Sequence, residues 1–139
     1  MEEAKSKADF KLPITVLLAA KNEAVNLPRC LAALVPAERV IVLDSHSTDT
    51  TPNIALQHGA EVVQFDYRGG YPKKRQWALD NLTLTTPWIL LLDADEVVPN
   101  ALWREMGAAI HEPDTPDAYL ITKGFHFLGR RFKHGGFSH

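Results

Sequence analysis

The stretch WILLLDADE at residues 88–96 decides the fold class, because five apolar residues run directly into a group of acids. A short continuous apolar run is typical of a strand buried on both faces of a parallel sheet. Asp93, Asp95 and Glu96 stand where that strand ends. The stretch therefore predicts a core strand with a polar group at its carboxyl end.

The chain before this stretch repeats the same order of elements. Three further strands are predicted from apolar runs at residues 14–20, 40–43 and 61–65. A helix is predicted after each of the four strands, from helical spacing or from helix-boundary residues, at residues 22–34, 50–58, 73–82 and 101–110. A Gly69-Gly70 loop precedes the third of these helices. Four alternations of strand and helix indicate an α/β domain with a Rossmann-like, mostly parallel sheet covered by helices.

The length and the 45% hydrophobic content suit one globular domain. We expect residues 1–12 to be a polar lead-in and residues 13–139 to form the domain. Residues 118–122 are compatible with another strand, whereas residues 124–139 show no clear period. This tail contains phenylalanines that suit a core or an interface, and we expect a tendency to form homodimers; they are Phe125, Phe127, Phe132 and Phe137.

Composition excludes several classes of protein. A net charge of -2 argues against a nucleic-acid binder. The single cysteine, Cys30, cannot form an internal disulfide, so we expect a buried thiol and a cytoplasmic protein. No apolar run approaches the roughly 20 residues that span a bilayer, so any membrane contact is expected to be peripheral, at the inner face. The six histidines include no i, i+4 pair suited to zinc.

Polar residues follow three of the predicted strands. They are Lys21-Asn22-Glu23, Asp44-Ser45-His46-Ser47 and Asp93-Ala94-Asp95-Glu96. Ligands of parallel α/β sheets bind beyond the carboxyl ends of the strands, and right-handed crossovers bring these loops to one edge. The sequence predicts a ligand site there. Purely structural alternatives are a helix-capping role for Asp44 and a first-turn role for Glu23, where an acid complements the helix dipole.

A divalent cation is the expected cofactor of this site. The first loop lacks the glycine patterns that grip a diphosphate, and carboxylates alone would repel one. A bound Mg²⁺ or Mn²⁺ would allow carboxylates and a diphosphate to meet at one site, with Asp93 and Asp95 as its expected ligands. Their i, i+2 spacing points both side chains the same way in an extended segment. Surface loops also contain paired acids without a metal, but here the apolar strand places them at the mouth of the core. Lys74 and Arg75 begin a predicted helix, where they suit either a diphosphate or a solvated turn.

Four ordered blocks give the sequence a resemblance to a known family. They are Lys21-Asn22-Glu23, residues 42–49 (VLDSHSTD), residues 74–79 (KRQWAL) and residues 91–96 (LLDADE). Together they resemble family 2 glycosyltransferases of the GT-A fold, particularly bacterial enzymes of lipopolysaccharide core assembly. The resemblance implies that Asp95 ligates the metal and that the nucleotide of the donor is bound by Asn22, Glu23, Asp44, Ser45, Ser47, Lys74, Arg75 and Asp93.

The resemblance implies an inverting transfer of a sugar from a nucleotide-diphosphate donor to a hydroxyl of a glycan or lipid-linked acceptor in the cell envelope. No carboxylate follows Asp117, so the general base is expected beyond His139 and the chain is expected to be truncated on its acceptor side. Two alternatives stay open: a binding module without catalysis, and an Asp-x-Asp phosphatase. The phosphatase fits less well because Glu96-Val97 stands where that class has Thr or Gly-Thr.

Overall fold

The computed structural model describes residues 11–66, 74–112, 118–120 and 126–129. Its elements, in chain order, are β1 (Leu12–Ala20), α1 (Leu27–Ala32), β2 (Ala37–Asp44), α2 (Thr51–Gln57), β3 (Glu61–Gln64), α3 (Lys74–Asn81), β4 (Trp88–Asp93), α4 (Asn100–Ala109), β5 (Ala118–Leu120) and β6 (His126–Gly129).

All six strands form one sheet in the order β3-β2-β1-β4-β6-β5. Strands β1 to β4 pair in parallel, and β6 runs antiparallel to both β4 and β5. The predicted mostly parallel α/β sheet is therefore confirmed. From β1 the chain builds outward to β2 and β3, and then crosses to β4 on the other side of β1. Such a reversal opens a crevice at the carboxyl end of the central strand.

The core occupies both faces of this sheet, which explains why the strand sequences are continuously apolar. On one face Ile14, Val16 and Leu18 of β1 belong to a cluster that includes Trp103 of α4. On the other face Leu17 belongs to a second cluster with residues of α3. The indole N–H of Trp103 donates to the carbonyl of Ala33, 2.8 Å away, and so ties α4 to the end of α1.

The first predicted helix was too long, because residues 22–26 are not helical, with a turn at residues 24–26, and α1 begins only at Leu27. Asn22 has a positive φ of 52°, which a right-handed helix does not allow. The N–H groups at the start of this segment also bond to side chains of another loop instead of to helical carbonyls. Strand β2 begins at Ala37, three residues before the predicted start.

The end of the sheet differs from the prediction as well. Strand β5 falls within the segment predicted to be compatible with a strand, but β6 forms in the part judged to have no period. A four-residue strand is too short for an alternating pattern to stand out from the sequence around it.

Several predicted features lie outside the described residues. They are most of the lead-in, the Gly69-Gly70 loop, Asp117 and residues 130–139. The expected homodimer stays a prediction. In the portion of the chain that the structure describes, no helix has the length and apolar character to cross a membrane.

A buried hydrogen bond between two threonines connects β1 to the segment that leads into β4. The hydroxyls of Thr15 and Thr86 lie 2.7 Å apart, and Thr86 also donates to the Trp88 carbonyl at 2.9 Å. We expect Thr86→Val to lower the free energy of unfolding by about 1–3 kcal/mol, because it removes the buried hydroxyl that bonds to both Thr15 and the Trp88 carbonyl. Urea unfolding of Thr15→Val, Thr86→Val and the double variant measures this. We expect the double variant to lose less than the sum of the two single losses; strict additivity would contradict the shared bond.

Candidate functional site

The strand register places two aspartates beside the end of β1. Ala20 of β1 pairs with Asp44, the last residue of β2, and Ala19 pairs with Asp93, the last residue of β4. Because one strand separates β2 from β4, the two aspartate backbones lie about 10 Å apart across the crevice. The carboxyl edge of the sheet therefore has two ends, an Asp44 end and an Asp93 end.

At the first end, the carboxylate of Asp44 organises the loop that follows β2. Asp44 is fully buried. It accepts hydrogen bonds from the N–H and the hydroxyl of Ser47, at 3.1 and 2.5 Å, and from the side-chain amide of Gln64, at 2.8 Å. The predicted alternative of a helix cap is wrong. The Asp44 carboxylate bonds to Ser47 in the loop, whereas α2 begins seven residues after Asp44.

The loops after β1 and β2 are interlocked through hydrogen bonds. Three consecutive N–H groups of the first loop donate to side chains of the second: Asn22 to Ser47 Oγ (2.8 Å), Glu23 to Thr51 Oγ1 (2.9 Å) and Ala24 to Asp49 Oδ2 (3.2 Å). In return the side-chain oxygen of Asn22 accepts from the Thr48 N–H at 2.8 Å. The hydroxyl of Thr51 also donates to Asp49 and holds the pKa of that carboxyl below its ordinary value. The two loops are thus joined to each other by these four inter-loop hydrogen bonds.

Glu23 and Ser45 complete this end of the crevice. Glu23 is half-buried and accepts a hydrogen bond from the Asn26 side chain at 3.1 Å. Since α1 begins at Leu27 and has no acid in its first turn, the predicted helix-dipole role of Glu23 is wrong. The N–H of Ser45 donates to the carbonyl of Ala20 at 3.2 Å, which holds the second loop against the end of β1.

His46 extends the network toward β3, and the sequence analysis did not select it. It adopts a positive φ of 50°, donates its N–H to the side-chain oxygen of Gln64 at 2.9 Å, and pairs through Nε2 with Asp66. A histidine and an aspartate 20 residues apart give no sequence signal of contact. Only the parallel pairing of β2 and β3 brings them together.

At the second end, a turn after β4 gathers three carboxylates. The N–H of Glu96 donates to the carbonyl of Asp93 at 3.0 Å, and the N–H of Asp93 donates to the Glu96 carboxylate at 2.8 Å. Carboxylate oxygens of Asp93, Asp95 and Glu96 all lie within 4.8 Å of one another. Burial, and then the charges of Asp93 and Asp95, raise the pKa of Glu96.

The geometry of this turn differs from the sequence-based prediction in two respects. Asp95 follows the end of β4, so the turn, and not an extended i, i+2 spacing, brings it near Asp93. Glu96 joins the cluster although it was not selected as a site residue. Its available signal was an acid three positions after Asp93, the spacing that a tight turn closes.

The two basic residues at the start of α3 have different partners. The ammonium of Lys74 donates to the carbonyl of Ala20 at 3.1 Å, at the very end of β1. Burial lowers the pKa of Lys74 most, and the nearby charges of Asp44 and Asp93 act in the opposite direction. Arg75 instead forms an ion pair with Asp93 Oδ1. Asp95 has no hydrogen bond or ion pair to any other part of the chain that is described.

The carboxylates of this turn fit a hard divalent cation. Mg²⁺ prefers oxygen ligands at about 2.1 Å, so opposite ligands in an octahedron lie about 4.2 Å apart. The three carboxylate oxygens lie within 4.8 Å of one another, and they can share one ion after their side chains adjust, because neighbouring ligands of an octahedron lie about 3.0 Å apart. Three protein ligands at most leave the remaining positions for water or phosphate oxygens.

The family model described as Glycosyl transferase family 2 matches residues 15–134. The lipopolysaccharide core biosynthesis glycosyltransferase LpsC of Rhizobium meliloti is 30% identical over 123 residues, which are 86% of this chain and 45% of that protein. The chain spans 25% to 45% of the length of the curated relatives it matches.

Two solved structures are similar in fold. One is the mannosyltransferase PcManGT of Pyrobaculum calidifontis in complex with GDP-Man and Mn²⁺, with a TM-score of 0.70 at 19% identity. The matched region is 94% of this chain and 49% of the PcManGT chain. The other is glucosyl-3-phosphoglycerate synthase of Mycobacterium tuberculosis in complex with Mn²⁺, UDP and glucosyl-3-phosphoglycerate, with a TM-score of 0.66 at 19% identity. The matched region is 91% of this chain and 59% of the synthase chain. The fold is GT-A.

The cysteine beneath the acidic turn gives a test of this architecture. Cys30 is buried, as predicted, and its Sγ lies 4.0 Å from the carbonyl oxygen of Asp93. Burial and the charges of Glu96 and Asp95 raise the pKa of the thiol to about 12. Because the thiolate is the reactive form, we expect no labelling by a thiol reagent at pH 8 in the native protein and complete labelling in urea. Rapid labelling of the native protein would contradict the packing described.

Proposed function

The chain belongs to glycosyl transferase family 2, and on that premise we propose that it binds the donor in an enzyme that transfers a sugar from a nucleotide diphosphate to an acceptor hydroxyl, with inversion at the anomeric carbon. The observation that supports this most is the position of the acidic turn. Asp93, Asp95 and Glu96 lie next to the end of β1, where the strand order reverses. The family leaves no ground for the phosphatase alternative.

The nucleoside is proposed to occupy the Asp44 end of the crevice. Its walls are the interlocked loops, which offer polar groups of Asn22, Glu23, Ser45 and Ser47. The carboxylate of Asp44 already accepts three hydrogen bonds from the protein. We therefore propose that Asp44 contributes chiefly by holding the second loop in the shape that the nucleoside meets.

The diphosphate and its cation are proposed to occupy the other end. Asp95 is the first choice as ligand because its carboxylate has no partner among the described residues, with Asp93 and Glu96 beside it. A bound Mg²⁺ or Mn²⁺ supplies Lewis acidity that stabilises the charge of a leaving diphosphate. Two proteins of similar fold were solved with Mn²⁺ and either UDP or GDP-Man, which supports this choice.

Lys74 and Arg75 are proposed to offset the charge of the diphosphate from the protein side. Both begin α3, where the helix dipole also favours an anion. The general base and the acceptor pocket are proposed to belong to the part of the longer relatives that this chain does not match. The similarity to LpsC supports a cell-envelope glycan or lipid-linked acceptor, reached from the cytoplasmic face of the membrane.

Asp95→Asn tests the cation site. We expect UDP affinity in the presence of Mn²⁺ to fall by about tenfold or more, equivalent to about 1.4 kcal/mol, because the variant loses one ligand charge. The melting temperature should stay unchanged, since the exposed side chain of Asp95 buries no apolar surface. Calorimetry with and without Mn²⁺ measures the first quantity and circular dichroism the second.

The matched control is Glu105→Gln, which removes one carboxylate charge from the exposed side of α4. It should leave UDP binding as it is in the wild type. If wild-type binding is insensitive to a chelator, the cation has no part in donor binding. If Asp95→Asn unfolds the protein, the residue is structural and its assignment as a ligand fails.

A further inference from the structure

Asp93 has a cationic partner before any ligand arrives. The guanidinium of Arg75 reaches from α3 to Asp93 Oδ1, and its side chain is 26% exposed against 58% for Asp93. Asp93 is also one of the three carboxylates of the turn. Two cations therefore compete for one carboxylate: the guanidinium of Arg75 and a divalent ion at the turn.

This arrangement weakens binding of a divalent ion on its own. The guanidinium occupies one carboxylate oxygen and places a positive charge within the reach of the cluster. Repulsion between that charge and a divalent ion, even with strong solvent screening, corresponds to an affinity lower by about threefold to tenfold. Glu96 does not restore the lost affinity for the cation, because its carboxylate already accepts a hydrogen bond from the Asp93 N–H.

A diphosphate offers Arg75 a second set of oxygens. The planar guanidinium binds phosphate oxygens in a bidentate manner as readily as a carboxylate. Lys74 is fixed to the carbonyl of Ala20, so Arg75 is the group at the start of α3 whose bond to the acidic turn can be exchanged. Moving the guanidinium to the diphosphate frees the Asp93 oxygen for the cation.

We propose that Arg75 couples the two ligands: it opposes the cation alone, and it passes from Asp93 to the diphosphate so that cation and nucleotide bind cooperatively. The inference rests on the proposed function. Because coupling between two ligands is reciprocal, the cation should strengthen nucleotide binding by the same factor as nucleotide strengthens cation binding, and Arg75→Gln should reduce that factor.

The experiment compares the wild type with Arg75→Gln, Arg75→Lys and a control, Arg104→Gln, on the exposed side of α4. Free Mn²⁺ is measured by electron paramagnetic resonance without nucleotide, and UDP binding by calorimetry with and without Mn²⁺. We expect Arg75→Gln to bind Mn²⁺ alone about threefold to tenfold more tightly, yet to bind UDP with Mn²⁺ more weakly. Arg75→Lys keeps the charge and should bind Mn²⁺ alone as the wild type does. Arg104→Gln should change neither quantity.

The outcomes separate this role from simple support of Asp93. A positioning role alone predicts that Arg75→Gln binds Mn²⁺ alone equally or less well, and either result would overturn the proposal. If Arg75→Gln fails to fold by circular dichroism, Arg75→Lys decides: unchanged coupling between Mn²⁺ and UDP overturns the proposal, and reduced coupling supports it. A wild type whose UDP binding ignores Mn²⁺ would instead overturn the proposed function itself.

Discussion

The parallel pairing of β1 with strands on both sides is the constraint on which the site depends. Because β2 and β4 pair with opposite sides of β1, their last residues flank its carboxyl end, Asp44 beside Ala20 and Asp93 beside Ala19. That register, and not any property of the loops themselves, sets the separation of Asp44 from Asp93. The apolar clusters on both faces hold the register, since a shift by one residue would turn buried side chains of β1 toward the wrong face.

An acidic site of this kind must be stable before a cation arrives. The negative charges of these carboxylates are stabilised in different ways. Asp44 is buried and satisfied by three donors, Glu96 closes its own turn, and Arg75 neutralises Asp93. Asp95 is exposed to water, so its charge needs no partner in the protein. The folded chain thus tolerates the cluster while leaving one carboxylate available.

Sequence patterns predicted the parts of the fold that local residues determine. The continuous run of β4 specifies a buried strand by itself, and the acids after it mark the edge. Residues 22–26 were misassigned because their conformation depends on side chains more than 20 positions away, such as Ser47. The pair formed by Arg75 and Asp93 was equally hidden, since it exists only once α3 lies beside β4. Both cases show tertiary contacts overriding local preference.

The interlock between the first two loops also limits how either loop can change over evolution. Each loop supplies the hydrogen-bond partners of the other, so a substitution in either one leaves unpaired groups in both. Independent drift of one loop is therefore costly, and residues 21–26 and 45–51 must vary together. If the loops hold the nucleoside as proposed, transferring the nucleoside preference of a related protein requires exchanging both segments together.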